Sequence, residues 1–223
     1  MTRPMNQKKM FQSFEIKEAR CKELEFILAI LIGVGLSASA GFRVFTPLLI
    51  TSIASYADWV HLAAGFDWIG TMPALLAFLV ATLIEVFAYF IPFVDNIVKL
   101  MATPAAIVAG SLLMASFIGD MKPFMTWSIA IIAGGGVASI SQAATAAIRG
   151  TSTVATGGIG NFFVSIFEGI SAIVIAVFSI LLPILSIIFV TIIIFILIRL
   201  IRVLKSKGVK FSRKANKNNV INA

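Results

Sequence analysis

The amino-acid sequence predicts an all-α integral membrane protein, with about six transmembrane helices arranged as two inverted repeats of three. Three observations lead there: a strongly apolar composition, a charge pattern that alternates between connections, and a residue order shared by the two halves. Of the 223 residues, 59% are hydrophobic and 13% are charged, whereas roughly a quarter of the positions in a soluble domain are charged. Lipid is the expected solvent. Six spans of about 20 residues, short connections and two tails use up the chain, leaving no room for a separate soluble domain. The net charge of +8 does not point to nucleic acid, because most basic residues lie in tails flanking the apolar block, as the positive-inside rule produces.

Residues 1–25 read as a cytoplasmic N-terminal tail, with six basic residues and four glutamates. The apolar run after it ends in Ala38, Ser39 and Ala40, imitating a signal-peptide cleavage site. A tail of that length and mixed charge differs from a short positive leader, so the segment is expected to be retained. Hydropathy marks six stretches, 26–45, 72–94, 102–118, 127–148, 162–182 and 184–204. The last two are separated by Pro183 alone, which implies a tight turn or a kink. They group as a first three-helix repeat over 26–126, a second over 127–204, and a basic cytoplasmic tail over 205–223.

The charges give the expected topology. Eight basic residues from Arg199 to Lys217, with no acid among them, place the C-terminal end in the cytoplasm beside the N-terminal tail. Lys99 and Arg149 then fall in cytoplasmic loops, and Asp58, Asp67 and Asp120 stand against Lys122 in the outer ones. The expected location is the cytoplasmic (inner) membrane, crossed several times. Trp59, Trp68 and Trp127 fall near the outer boundaries, as interfacial anchors do. The segment 44–66 is too long for a turn and too apolar for an ordinary loop. Within it, 47–57 is about half a span, which suggests a re-entrant or interfacial piece. The Thr-, Ser- and Gly-rich stretch 150–160 raises the same expectation of a break after the fourth span.

The halves share an order of residues. Ala29, Ile30, Gly33 and Gly35 match Ala130, Ile131, Gly134 and Gly136; Arg43 with Thr46 matches Arg149 with Thr151, Ser152 and Thr153; Thr82 and Glu85 match Ser165 and Glu168; and Pro104 matches Pro183. Three spans repeated must enter from opposite sides, the inverted arrangement common among secondary transporters.

Arg43, Glu85, Arg149 and Glu168 lie in or beside apolar segments, where a charge at the bilayer centre costs about 2.5 to 3.5 kcal/mol on insertion scales. Two of each sign permit mutual pairing, with both glutamates facing the bundle interior. They serve either a solute or proton-coupled site or a polar clamp between spans. The arginines, beside helix breaks with hydroxyls and free amides nearby, suit a carboxylate or phosphate. The expected substrate-binding set is therefore Arg43, Thr46, Glu85, Arg149, Ser152 and Glu168. Asp95 and Asn96 after Pro92 either coordinate an ion or cap the next helix, and capping is the simpler role. Gly134, Ala138, Ser141 and Thr145 form a small-residue stripe suited to close packing. Cys21 in the tail and His61 in a loop have no partners at metal-ligand spacing, so neither a metal nor a cofactor is expected.

No hydrolase, metalloprotease or phosphate-loop motif occurs. The function expected is a small secondary transporter, or a protein translocating a lipid or solute, with a polar site between the repeats and an anionic or zwitterionic substrate. It works alone or as a homo-oligomer. The alternatives are a non-transporting scaffold or assembly factor and, third, a lipid-modifying enzyme. Partners are membrane lipids, with anionic lipid at the C-terminal basic tail.

The stretches AGFRVFTPLL (40–49), GFDWIGTMPALLAFLVATLIEVFAYFIPFVDN (65–96), ATPAAIVAG (102–110) and IAGGGVASISQAATAAIRGTSTVATGGIGN (132–161) resemble an uncharacterised bacterial membrane-protein family, domain of unknown function 4126. Arg43, Glu85, Asp95, Arg149 and Glu168 lie within or close to these similar blocks, which marks them as family features. The family pattern places an acid shortly after the Asp–Asn pair, where this chain has Lys99, and that weakens a cation role for Asp95.

Overall fold

The apolar runs fold as helices in the computed structural model, which describes residues 4–88, 92–119, 121–157 and 159–183, with single positions as far as Arg199. Side chains are described from residue 14 onward and not over 91–100. Helix α1 (Pro4–Ala40) and helix α2 (Phe45–Tyr56) are followed by a 3-10 turn (Asp67–Gly70), α3 (Met72–Ala88) and α4 (Pro92–Phe117). Then α5 (Pro123–Ile129), a π segment (Ala130–Gly135) and α6 (Gly136–Thr156) run on without interruption, and α7 (Gly160–Leu181) ends the described bundle. Among the described residues, three helices are long and apolar enough to cross a membrane, over Phe14–Ala40, Pro123–Thr156 and Gly160–Leu181.

Several boundaries differ from expectation, for local reasons. The segment 4–25 is helical throughout and continues into the first apolar stretch, so it is an extension of α1 rather than an irregular tail. Pro92, with no N–H to lose, starts α4 ten residues before the expected 102. Pro104 stays inside α4, as membrane helices tolerate. The stretch expected to break, 150–160, is mostly helical. Helix α6 runs through Arg149 to Thr156, and among the described residues that follow, Gly157, at φ 64°, leaves the helical region. The hydroxyls of Thr151, Thr153 and Thr156 donate to the carbonyls four residues back, satisfying them within the helix.

The packing fixes the direction of each helix. Ser37 Oγ donates to the Gly110 carbonyl at 2.8 Å, while a Cβ on Gly33 would come within 3.3 Å of Met114 Cα, so α1 and α4 are antiparallel. Against the same face of α4, Gly134 meets Met114 and Ala138 meets Gly110, so α4 and the π segment with α6 are also antiparallel. Hence α1 and α6 run the same way. A Cβ on Gly41 would lie 2.5 Å from the Ala138 carbonyl and 2.9 Å from Gln142 N, which leaves glycine as the residue that lets these two helices cross. Helix α7 runs back along α1, where Ser39 Oγ donates to the Ala172 carbonyl at 2.8 Å.

Helix α2 then returns to the end where α1 enters. Ser52 Oγ donates to the Ile69 carbonyl at 2.6 Å, the Ala63 N–H to the Ser116 carbonyl at 2.8 Å, and the Phe66 and Trp127 rings lie 6.2 Å apart. The connection after α2 therefore lies where α4 ends and α5 begins. Ile30 and Val34 of α1 pack with Ile118 and Met121 at that same end. Together α1 and α2 form a hairpin that enters and leaves at one end of the bundle, with its tip over 41–44. At 12 residues, or about 18 Å, α2 is little more than half the length a full span needs, and the piece expected to be re-entrant or interfacial after the first span is a helix.

Two expectations change as a result. The N-terminal extension shares an end with the 57–70 and 118–122 connections, instead of lying opposite them. A two-fold axis in the membrane plane would also reverse α6 relative to α1, and these helices are parallel, so the proposed equivalence of the first and fourth stretches as an inverted pair does not hold. The sixth stretch and the basic tail lie outside the described residues, single positions apart.

A buried charge cluster at the hairpin tip

The bundle is apolar outside and charged inside, the reverse of a soluble protein. Leu76, Leu79, Val80, Leu83, Ile84 and Phe87 of α3 are exposed, whereas Arg43, Glu85, Arg149 and Glu168 retain only 4, 8, 9 and 2% of their surface. Apolar side chains turned to lipid and ionisable ones turned inward are what a bilayer demands.

Glu85 sits on the N-terminus of α2. Its carboxylate accepts the Val44 N–H at 2.8 Å and the Phe45 N–H at 3.1 Å. In a continuous helix those amides would donate to the carbonyls of Ala40 and Gly41. The turn at 41–44 withdraws those acceptors, and Glu85, brought alongside by α3, supplies replacements while its charge opposes the positive end of the α2 dipole. Pro47 fits in the first turn of α2 for want of an N–H to lose.

Arg149 and Glu168 form a bidentate ion pair. Arg149 Nε donates to both carboxylate oxygens, at 2.9 and 3.1 Å, and its terminal nitrogen also bonds Glu168. Ser165, one turn before Glu168, touches both arginines. Its hydroxyl accepts from Arg149 at 3.3 Å and its carbonyl from Arg43 at 3.0 Å. Arg43 also stacks close to Gly169, where a Cβ would lie 3.8 Å from the guanidinium. The cluster thus joins the hairpin tip, α3, α6 and α7. Glu168 is the ninth residue of the 22-residue α7, which puts it about 12 Å in from the helix start.

The sequence-selected residues divide accordingly. Arg43, Glu85, Arg149 and Glu168 come together, and Thr46 is buried one residue past the Glu85 contacts. Ser152 does not join them; it faces Gly160 at the turn between α6 and α7, one turn of helix beyond Arg149. Thr82 donates to the Phe78 carbonyl within its own helix, not to Glu85. The side chains of Asp95 and Asn96 lie outside the described residues, although both positions are inside α4. Free amides beside Arg43 are as the sequence suggests, but their capture by Glu85 and the bridging role of Ser165 go beyond it. For the amides, the sequence signal is Gly41 and Pro47 bracketing an arginine.

Away from the cluster, Asp58, His61 and Asp67 line a polar recess of about 230 Å³ beside the 3-10 turn. Among the described residues, no three His, Cys, Asp or Glu side chains are placed to hold a metal ion. The small-residue stripe packs as expected: Gly110, Gly134 and Ala138 bring α4 and the π segment into backbone contact.

The helices and their inward charges define a helical membrane protein with a polar core. Within that class, residues 30–203 match the family described as Domain of unknown function (DUF4126), and the chain belongs to it. No curated protein and no solved structure matches the chain.

Proposed function

We propose that this protein is a small transporter of the cytoplasmic membrane, moving an anionic or zwitterionic solute or a lipid head group through the cluster at the hairpin tip. The observation that carries this reading is the half-length α2, whose N-terminal amides point into the cluster, where Glu85 holds them beside the buried Arg43 and Arg149. Half-helices that point an N-terminus into a polar core are how membrane carriers hold anionic groups. A clamp alone would need no helix that stops halfway. The conformation is closed, because the four charges are engaged with one another, with Ser165 and with the tip backbone.

The second reading is a non-transporting scaffold, favoured by the bidentate Arg149–Glu168 pair. Flux of labelled carboxylates, phosphates, amino acids and fluorescent lipids into proteoliposomes distinguishes the two. The transporter reading expects uptake by the wild type that is lost in Arg149→Met/Glu168→Met, a variant that keeps the fold. Absence of flux or binding for every class, with the charge variants altering stability alone, would leave the scaffold.

A further inference from the structure

Helix α1 is longer than its place in the bundle requires. Burial begins near Gly33, whereas residues 14–27 are exposed, so the extension projects beyond the end where the 57–70 connection lies. Phe14, Lys17, Cys21, Leu24 and Leu28 recur at alternating intervals of three and four, the spacing that keeps one helix face against a partner helix in a coiled coil. Phe14 and Leu24 are 68 and 57% exposed and Cys21 is exposed. With Phe14, Cys21 and Leu28 as the first core position of each heptad, Arg20 and Glu25 take the flanking positions that meet across a parallel pair, five residues apart. Lys17, at the second core position of its heptad, is the one charged residue of the seam. Glu18 and Lys22 pair within one helix at 3.4 Å, off the seam.

We infer that this projecting part of α1 is a dimerisation surface whose partner is a second copy of the chain, joined as a parallel two-stranded coiled coil. The charge pattern selects this occupant. Arg20 of one copy faces Glu25 of the other in parallel register, so a helix with this same sequence complements itself.

Cys21 is the sole cysteine in the chain and sits on the seam, which provides a direct test. Full-length protein in nanodiscs or detergent is oxidised with copper phenanthroline and resolved on non-reducing gels. Most of the protein is expected to run as a disulfide-linked dimer, and Cys21→Ser abolishes the band. A cysteine moved one position off the seam, Cys21→Ser/Lys22→Cys, should cross-link at least fivefold less. Arg20→Glu should reduce the Cys21 cross-link several-fold, and Arg20→Glu/Glu25→Arg should restore it. All these positions are exposed, so folding is not at stake. Light scattering on Cys21→Ser should give twice the chain mass, falling to one in Phe14→Glu/Leu24→Glu. Equal cross-linking at positions 21 and 22, a monomeric Cys21→Ser protein, or an unchanged mass in the double glutamate variant would each overturn the inference.

Discussion

Removing one member of the Arg149–Glu168 pair should cost far more than removing both. In Glu168→Gln the guanidinium keeps its charge in a site where Glu168 is 2% exposed and Arg149 9% exposed. It loses the carboxylate that accepts from two of its nitrogens. Breaking a buried ion pair from one side costs about 3–5 kcal/mol, whereas replacing both partners with apolar residues of similar volume is often neutral or stabilising. The single variants Glu168→Met, which strands the guanidinium as Glu168→Gln does, and Arg149→Met should therefore each lose about 3–5 kcal/mol, and Arg149→Met/Glu168→Met should return to within about 1–2 kcal/mol of the wild type. The assay is reversible unfolding in mixed micelles, with all four proteins run in parallel as a double-mutant cycle. Additive losses, with the double variant as unstable as the sum of the singles, would refute the reasoning, because the two groups would then act separately.

Three further outcomes follow from the geometry. A Cβ on Gly134 would meet Met114 Cβ at 2.6 Å and Gly110 C at 3.0 Å, whereas nothing lies within 4 Å of one on Gly150. Gly134→Ala should thus cost about 1–3 kcal/mol and Gly150→Ala, inside α6, should gain about 0.5–1 kcal/mol, both measured in the same unfolding assay. Glu85→Ala strands two buried amides at about 1–3 kcal/mol each, and hydrogen exchange at Val44 and Phe45 should accelerate while the centre of α6 is unchanged. For the hairpin, a membrane-impermeant maleimide applied to sealed vesicles should, in the Cys21→Ser background, reach single cysteines placed at Lys22, which lies off the seam, and at His61 from one face, and a cysteine at Val154 from the other. Labelling of positions 22 and 61 from opposite faces would restore the order expected from charge counting.

Helices, their approximate places and the four inward charges were legible because each is a local property. Long apolar runs can only satisfy their backbones as helices in lipid, and a lone Glu85 or Glu168 amid isoleucine and phenylalanine has to face inward. The direction of α1 was not legible. Its end depends on whether the chain after Ala40 continues onward or doubles back, and that is decided by contacts of Ser37 and Ser39 with carbonyls 73 and 133 residues away. Charge counting assigned the 57–66 loop to the far side because it assumed that every apolar stretch crosses. Gly33 of α1 and Gly134 of the π segment both come against Met114 of α4, a common need for close approach met by helices that run in parallel; sequence similarity alone cannot separate that from inverted descent. The hydroxyls after Arg149 read as loop-formers in the sequence, but threonines that donate to carbonyls four residues back stay helical.

The position of Arg43 has a consequence for how the chain is made. It lies ahead of the other helices of the bundle in the chain, yet the carbonyl it donates to belongs to Ser165, 122 residues later. The Glu85 carboxylate that closes the amides beside it arrives about 40 residues later. Until then a guanidinium and two open N–H groups have no shelter in the nascent protein. The α1–α2 hairpin is therefore expected to reach its final packing only after the helices translated later have gathered around it.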